Sequence, residues 1–199
     1  VELVLIRHGL PIRLDAVDGP ADPPLDDLGV QQAEALAADL GPVHLDAIYT
    51  SPLMRARQTA TPIEVATGLN AGVIDGVAEW DRHASSYIPV EQLRVEAPEV
   101  WRALASGDLA ALGIDVDDFV GRVLDAMSSI AAAHSGQRVG VVCHGGVINV
   151  YLSQVLGLDR LLFFQPGYTS VSRVAVTDEG RTGVLSINET GHLRQLTPR

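Results

Sequence analysis

Cysteine is almost missing from this chain. Cys143 is the single one among 199 residues, so no internal disulfide can hold the fold, and neither a Cys/His cluster with metal-ligand spacing nor an HExxH pair occurs. Long apolar runs are missing too. None approaches the roughly 20 residues that span a bilayer, and the first apolar segment has strand length without the charged lead and cleavage site of a secretory signal. Positive charge is sparse: 14 Lys+Arg stand against 25 Asp+Glu, a formal net charge of -11. Nucleic acid is therefore an unsuitable partner, since its phosphates are bound by many cations releasing counterions. There are no internal repeats and no low-complexity segment. These absences lead to the expectation of a soluble, cytoplasmic chain with no membrane and no nucleic-acid partner. With 47% hydrophobic residues, one sizeable core is expected, in a single domain over residues 1–199. Oligomeric state stays open, a homodimer included.

What the chain does have is two apolar runs that each end in His-Gly. Val4-Leu5-Ile6-Arg7-His8-Gly9 and Val139-Gly140-Val141-Val142-Cys143-His144-Gly145-Gly146 both read as buried strands. Glycine after each lets the backbone turn sharply or approach a ligand closely. One histidine at a strand end is commonly an ordinary hydrogen-bonded residue. Two on such strands suggest imidazoles meeting at one edge of a sheet, where open α/β proteins place their ligand sites.

Between these runs the chain alternates. Leu10 to Asp27, rich in Pro, Asp and Gly, reads as a loop of about 18 residues, longer than structural connections usually are. From Leu28, the residues Val30, Ala33, Leu36, Ala37 and Leu40 recur at helical spacing up to Gly41-Pro42. Ala47 to Ser51 reads as a strand, and Ser51-Pro52 as the N-cap and first-turn proline of a helix that carries Arg55 and runs to about Gly68. Helices are expected over Phe119–Ala133 and Val147–Leu156, and a hairpin over Ser170–Thr177 and Gly183–Asn188, joined by Asp178-Glu179-Gly180. The expected architecture is α/β: three layers, α/β/α, with a mostly parallel sheet, an antiparallel C-terminal edge and a small helical insertion or lid at about residues 80–118.

Arg7, His8, His144 and Arg55 are then expected to converge on one crevice of phosphate size. A phosphoryl group carries roughly -1.5 to -2 charge near neutrality, and a cation about 4 Å away contributes on the order of 4 kcal/mol at an effective dielectric of 20, before desolvation. Arginine suits the task because its planar fork meets phosphate oxygens in pairs. The total charge does not oppose this, because screening over about 8 Å leaves a local arginine cluster to dominate its own pocket.

Four ordered motifs carry a family resemblance. They are Arg7-His8-Gly9; Asp22-Pro23-Pro24-Leu25 with Leu28-Gly29 and Gln32-Ala33; Ser51-Pro52-Leu53 with Arg55-Ala56 and Thr59-Ala60; and His144-Gly145-Gly146. In them the chain resembles the histidine phosphatase superfamily, also called the phosphoglycerate mutase-like family, over nearly its whole length. The resemblance implies a metal-independent, cofactor-free phosphatase acting on a small phosphorylated metabolite. His8 is then the nucleophile that becomes phosphohistidine, Arg7, Arg55 and His144 hold phosphoryl oxygens beside Gly145, and a carboxylic acid protonates the leaving oxygen. Glu79, after Val73 to Ala78, is the chosen acid and Asp81 the substitute, because Trp80-Asp81-Arg82-His83 replaces the family's usual glycine-rich continuation. Two rivals stand beside this reading: a mutase of the same fold, and a non-catalytic phosphate-ester binding module.

The module draws support from one departure. The family's polar first loop is replaced by Leu10-Pro11-Ile12-Arg13-Leu14. Arg13 is either a substitute phosphate ligand or a solvated loop residue, and Leu10, Ile12 and Leu14 hint at a pocket wall suited to an apolar leaving group. Trp80, Tyr87, Ile88 and Trp101 either shape an apolar subsite or pack the insertion's own core. Cys143 is expected to be buried packing, His134, by a helix C-terminus where it can cap carbonyls, and His44, in a turn, to be structural or solvated, and His192 to be structural. His83, in the insertion, is a weaker candidate for touching substrate.

Overall fold

Alternation at period two decides which layer each strand residue joins. In the computed structural model, which describes residues 1–196, the strand Glu2–Arg7 (β1) is followed by Leu14–Asp15 (β2), Asp27–Leu40 (α1), Ala47–Thr50 (β3), Met54–Thr67 (α2), Ala71–Val73 (β4) and Ser86–Tyr87 (β5). Val90–Glu96 (α3), Pro98–Ser106 (α4), Val116–Ala133 (α5), Arg138–Cys143 (β6), Gly145–Leu156 (α6), Val171–Val176 (β7) and Thr182–Glu189 (β8) complete the chain. Residues 197–199 of the expected domain lie outside the described residues. Leu3, Leu5, Val139, Val141 and Cys143 pack against α5 and α6. Their neighbours Val4, Ile6 and Val142 pack on the opposite face against α1 and α2. That is the expected three-layer α/β/α arrangement.

The sheet order is β4-β3-β6-β1-β7-β8. The first four strands are parallel, and β7 runs antiparallel to both β1 and β8, so the mostly parallel sheet with an antiparallel C-terminal edge stands. Order and register place the site. Arg7 pairs with Cys143 across β1 and β6, and the ladder runs one step further, His8 N–H donating to the Cys143 carbonyl at 3.0 Å. On the other side of β6, Ser51 N–H donates to the Val142 carbonyl at 2.9 Å. Beyond β1, Thr169 N–H donates to the His8 carbonyl at 3.3 Å. Ser51, His144, His8 and Thr169 therefore stand in a row along the C-terminal ends of the parallel strands.

Several local expectations shift. The loop after β1 is folded back by a bridge between Pro11 and Leu25 and by Leu10 N–H donating to Gln32 Oε1 at 2.9 Å. Helix α1 starts before Leu28 because Asp26 caps it, its Oδ1 accepting from Gly29 N–H at 2.6 Å. A Cβ on Gly29 would sit 2.0 Å from the Leu10 carbonyl oxygen. Backbone cannot yield there as a side chain can. Gly29→Ala is expected to cost about 2 kcal/mol, roughly 4–8 °C in Tm, by thermal unfolding.

Ser51 does not cap α2. That helix begins at Met54 with Leu53 at its N-cap, and the Asp22 carboxylate takes the Met54 N–H at 2.8 Å. Ser51 is committed elsewhere, to His144. Helix α6 starts at Gly145 rather than Val147, so both glycines form its first turn. The segment expected as an insertion holds α3 and α4, which abut at Ala97 and Pro98. It is tied to the body by Tyr168 Oη donating to Glu91 at 3.0 Å, by an Arg13–Glu96 ion pair, and by the β2–β5 ribbon.

Candidate active site

The two imidazoles meet. Their ring centroids are 5.1 Å apart, and both rings are buried, because each follows a strand interior to the sheet. His8 Nδ1 lies 2.7 Å from the Gly9 carbonyl oxygen. A carbonyl can only accept, so Nδ1 carries the proton and Nε2 keeps its lone pair. Burial first, and then the charges of Arg55 and Arg7, hold the His8 pKa well below its ordinary value. The ring is thus a neutral, oriented nucleophile.

His144 is set differently. Its Nε2 lies 2.7 Å from Ser51 Oγ, an oxygen that also accepts from Leu53 N–H at 3.2 Å. Its Nδ1 is buried without a hydrogen-bond partner among the described residues. Burial, followed by Arg55, lowers its pKa as well. Its role as an oxygen holder was inferred from the motif alone. In the structure His144 stands against the His8 ring but is not among the residues lining the adjoining cavity.

That cavity, of about 380 Å³, is lined by Arg7, His8, Arg55, Glu79, Asp81 and Gly145 at its polar end. Its size is that of a small-molecule site. Arg7 lies 3.9 Å over the Tyr168 ring and donates to the Pro166 carbonyl at 2.5 Å. Arg55 is only 1% exposed and sits 4.7 Å over the Tyr87 ring. Arg7 Nε, Arg55 Nε and Arg55 Nη1 are buried with no hydrogen-bond partner among the described residues, the last standing 4.0 Å from the Asp22 carboxylate. Two guanidinium groups with unspent donors beside a free imidazole lone pair can bind a tetrahedral anion and attack it.

Glu79 is buried at the same cavity, its two oxygens accepting from Gly146 N–H at 2.8 Å and Trp80 N–H at 3.1 Å. Burial, and then the nearby Asp81 carboxylate, push its pKa up to about 7. It can exchange a proton near neutrality. Asp81, the substitute, is spent: it holds Arg55 Nη2 at 2.7 Å. The glycine pair after His144 gains its reason here, since a Cβ on Gly146 would lie 1.8 Å from the Trp80 ring and 2.4 Å from Glu79 Oε1.

A model of the histidine phosphatase superfamily (branch 1) matches residues 3–190. This chain belongs to the histidine phosphatase superfamily. It is 30% identical to phosphoserine phosphatase 1 of Hydrogenobacter thermophilus, covering 97% of this chain and 94% of that protein. It is 34% identical to a metal-independent phosphoserine phosphatase of Arabidopsis thaliana over 76% of this chain and 67% of that protein. A phosphoserine-bound mutant of phosphoserine phosphatase from Entamoeba histolytica shares the fold, with a TM-score of 0.76 at 24% identity over 96% of this chain and 98% of that one.

Within the family frame, other expectations change. Arg13 faces away from the cavity, half-exposed and paired with Glu96 and Asp15, so it is not a phosphate ligand. Leu10, Ile12 and Leu14 do not line the cavity; Leu10 is held against α1 instead. His83 lines a neighbouring cleft and accepts from Arg82 at 3.0 Å. His134 does not cap carbonyls, because its ring bridges Tyr49 Oη at 2.8 Å and Gln137 at 2.6 Å. Exposed His44 pairs with Asp46, and His192 contacts Thr169 Oγ1 at 3.0 Å. Cys143 is buried packing, its thiol pKa pushed up by burial.

Tyr168 and Asn149 escaped the sequence reading, and Thr59 entered it only as part of a motif, without a role. Tyr168 stacks on Arg7 and approaches His8, with ring centroids 5.8 Å apart, but only the β1–β7 pairing brings it there. Thr59 Oγ1 accepts from Gly9 N–H at 2.9 Å, fixing the turn after His8. Asn149 bonds the Gly145 and Phe164 carbonyls and the Phe163 and Phe164 N–H groups. A lone Asn inside the apolar run Val147 to Leu152 is a readable signal, since a buried amide must find partners.

Proposed function

We propose that this chain is a metal-independent phosphomonoesterase that hydrolyses a small phosphorylated metabolite through a phosphohistidine on His8. The observation that carries this is the free Nε2 lone pair of His8 beside the unpartnered guanidinium nitrogens of Arg7 and Arg55. The printed activities of the two phosphoserine phosphatase relatives support the reaction class.

His8 Nε2 attacks phosphorus as the ester P–O bond breaks, and Glu79, protonated, gives its proton to the leaving oxygen. Arg7 and Arg55 take the charge that accumulates on the remaining oxygens, work that magnesium does in kinases. His144 packs its ring against His8, and the first-turn N–H of Gly145 lies at a helix N-terminus that favours an anion. In the second half, carboxylate Glu79 takes a proton from water as that water attacks phosphorus. The P–N bond breaks, its electron pair returns to Nε2, and inorganic phosphate leaves. The segment 80–118 acts in this scheme as a wall over the substrate, within the single domain.

The test is steady hydrolysis of p-nitrophenyl phosphate at an unchanged rate in excess chelator. Loss of activity in chelator overturns metal independence. Incubation with 3-phosphoglycerate separates the mutase: isomer interconversion without free phosphate overturns hydrolysis. Binding of inorganic phosphate with no turnover of any ester leaves only the binding module.

A further inference from the structure

The cavity has two ends of opposite character. All of its catalytic polar groups sit at one end. The other end is walled by Ile88, by Leu93 of α3, by Trp101 and Leu104 of α4, and by Phe163 and Phe164. Asn149, Arg160 and Gln165 are the polar side chains that accompany this wall. Asn149 spends its amide on four backbone groups of the Gly145 and Phe163–Phe164 stretches, and Arg160 donates to the Ala105 carbonyl. A phosphorylated amino acid or hydroxy acid would have to bring its carboxylate or ammonium against this wall with only the Gln165 amide and the remaining nitrogens of Arg160 to meet it, and any charge left unmet there costs far more than burying hydrocarbon.

We propose that the substrate is a phosphomonoester of an apolar alcohol or phenol, an aryl group or an alkyl chain of about six carbons or more, seated between α4 and Phe163–Phe164. The inference rests on the phosphatase reading above and names its substrate class. Of the cations lining the cavity, only Arg160 lies away from the catalytic end, and it is the one cation able to read a carboxylate there.

The experiment measures kcat/KM for ethyl, butyl, hexyl and octyl phosphate, whose leaving groups are of nearly equal basicity, so that chemistry stays constant while buried area grows. Each methylene is expected to raise kcat/KM about twofold to fourfold until the chamber is full. O-phosphoserine and 3-phosphoglycerate are expected at least tenfold below hexyl phosphate. In Leu104→Asn the ratio of hexyl to ethyl kcat/KM should fall at least tenfold. Because it is a ratio within one preparation, partial misfolding cancels. A flat chain-length series, or phosphoserine preferred over hexyl phosphate with that preference lost in Arg160→Gln, overturns the apolar chamber and leaves the phosphatase standing. No turnover of any ester and no labelled His8 sinks the phosphatase reading itself.

Discussion

His8→Asn is expected to lower turnover of any phosphomonoester on the order of 10⁴-fold or more, since the nucleophile of a covalent mechanism has no local substitute. The mark of the effect is acid-labile phosphate on the protein, trapped from labelled substrate in the parent and missing in the variant. Substrate binding should survive, because Arg7 and Arg55 keep their unspent donors. His144 cannot take over. Its Nε2 is held by Ser51, and its ring does not line the cavity. A variant that still hydrolyses within tenfold of the parent would show that water attacks directly, and the covalent scheme would be abandoned.

Glu79→Gln should cost 10²- to 10⁴-fold on alkyl phosphates, the usual yield of positioned acid catalysis. On p-nitrophenyl phosphate, whose leaving group needs no proton, the variant should release about one equivalent of nitrophenol quickly and then stall, because glutamine cannot activate water against phosphohistidine. The pH profile gives a second readout. With Glu79 at about pKa 7, parent activity on alkyl phosphates should fall above pH 7 as the acid loses its proton. The low-pH limb lies well below 6.5, where His8 begins to protonate. An alkaline limb that persists unchanged in Glu79→Gln would reassign the acid, Asp81 being next in line.

Stability carries the same sign of argument. Between pH 4.5 and about 7 the native state holds a Glu79 proton that the unfolded chain releases, so the contribution of this group falls by about 3 kcal/mol across that window. His8 and His144 act oppositely: native imidazoles that resist protonation lose stability relative to the unfolded chain as pH drops below 6.5. The difference between parent and Glu79→Gln in denaturant melts at each pH isolates the carboxyl.

Helix ends were legible only where local chemistry owned them. Gly157 closes α6 in the left-handed conformation and could be read from sequence, because a positive φ is a local demand. The start of α6 could not. Gly145-Gly146 reads as a break, yet Trp80 and Glu79 occupy the space any side chain would need, and they arrive from 65 or so residues away. Ser51 looked like a helix cap for the same reason: its distant partner His144 is invisible in the local string. Arg13 stood open between a stand-in phosphate ligand and a solvated loop residue, and only the arrival of Glu96 on α3 shows where it pairs.

The amino-acid string by itself determined the periodicities, and with them the layers, the two His-Gly strand ends, and the presence of Arg7, Arg55 and a carboxyl near Glu79. Those follow from patterns of two to four residues acting over short distances. Strand order was decided by the tertiary structure alone, and it is strand order that sets β6 beside β1, brings Arg55 and the two imidazoles together, lifts Glu79 toward neutrality and walls one end of the cavity with hydrocarbon. Burial and Coulomb fields depend on which segments become neighbours, and that is a property of the whole packed chain.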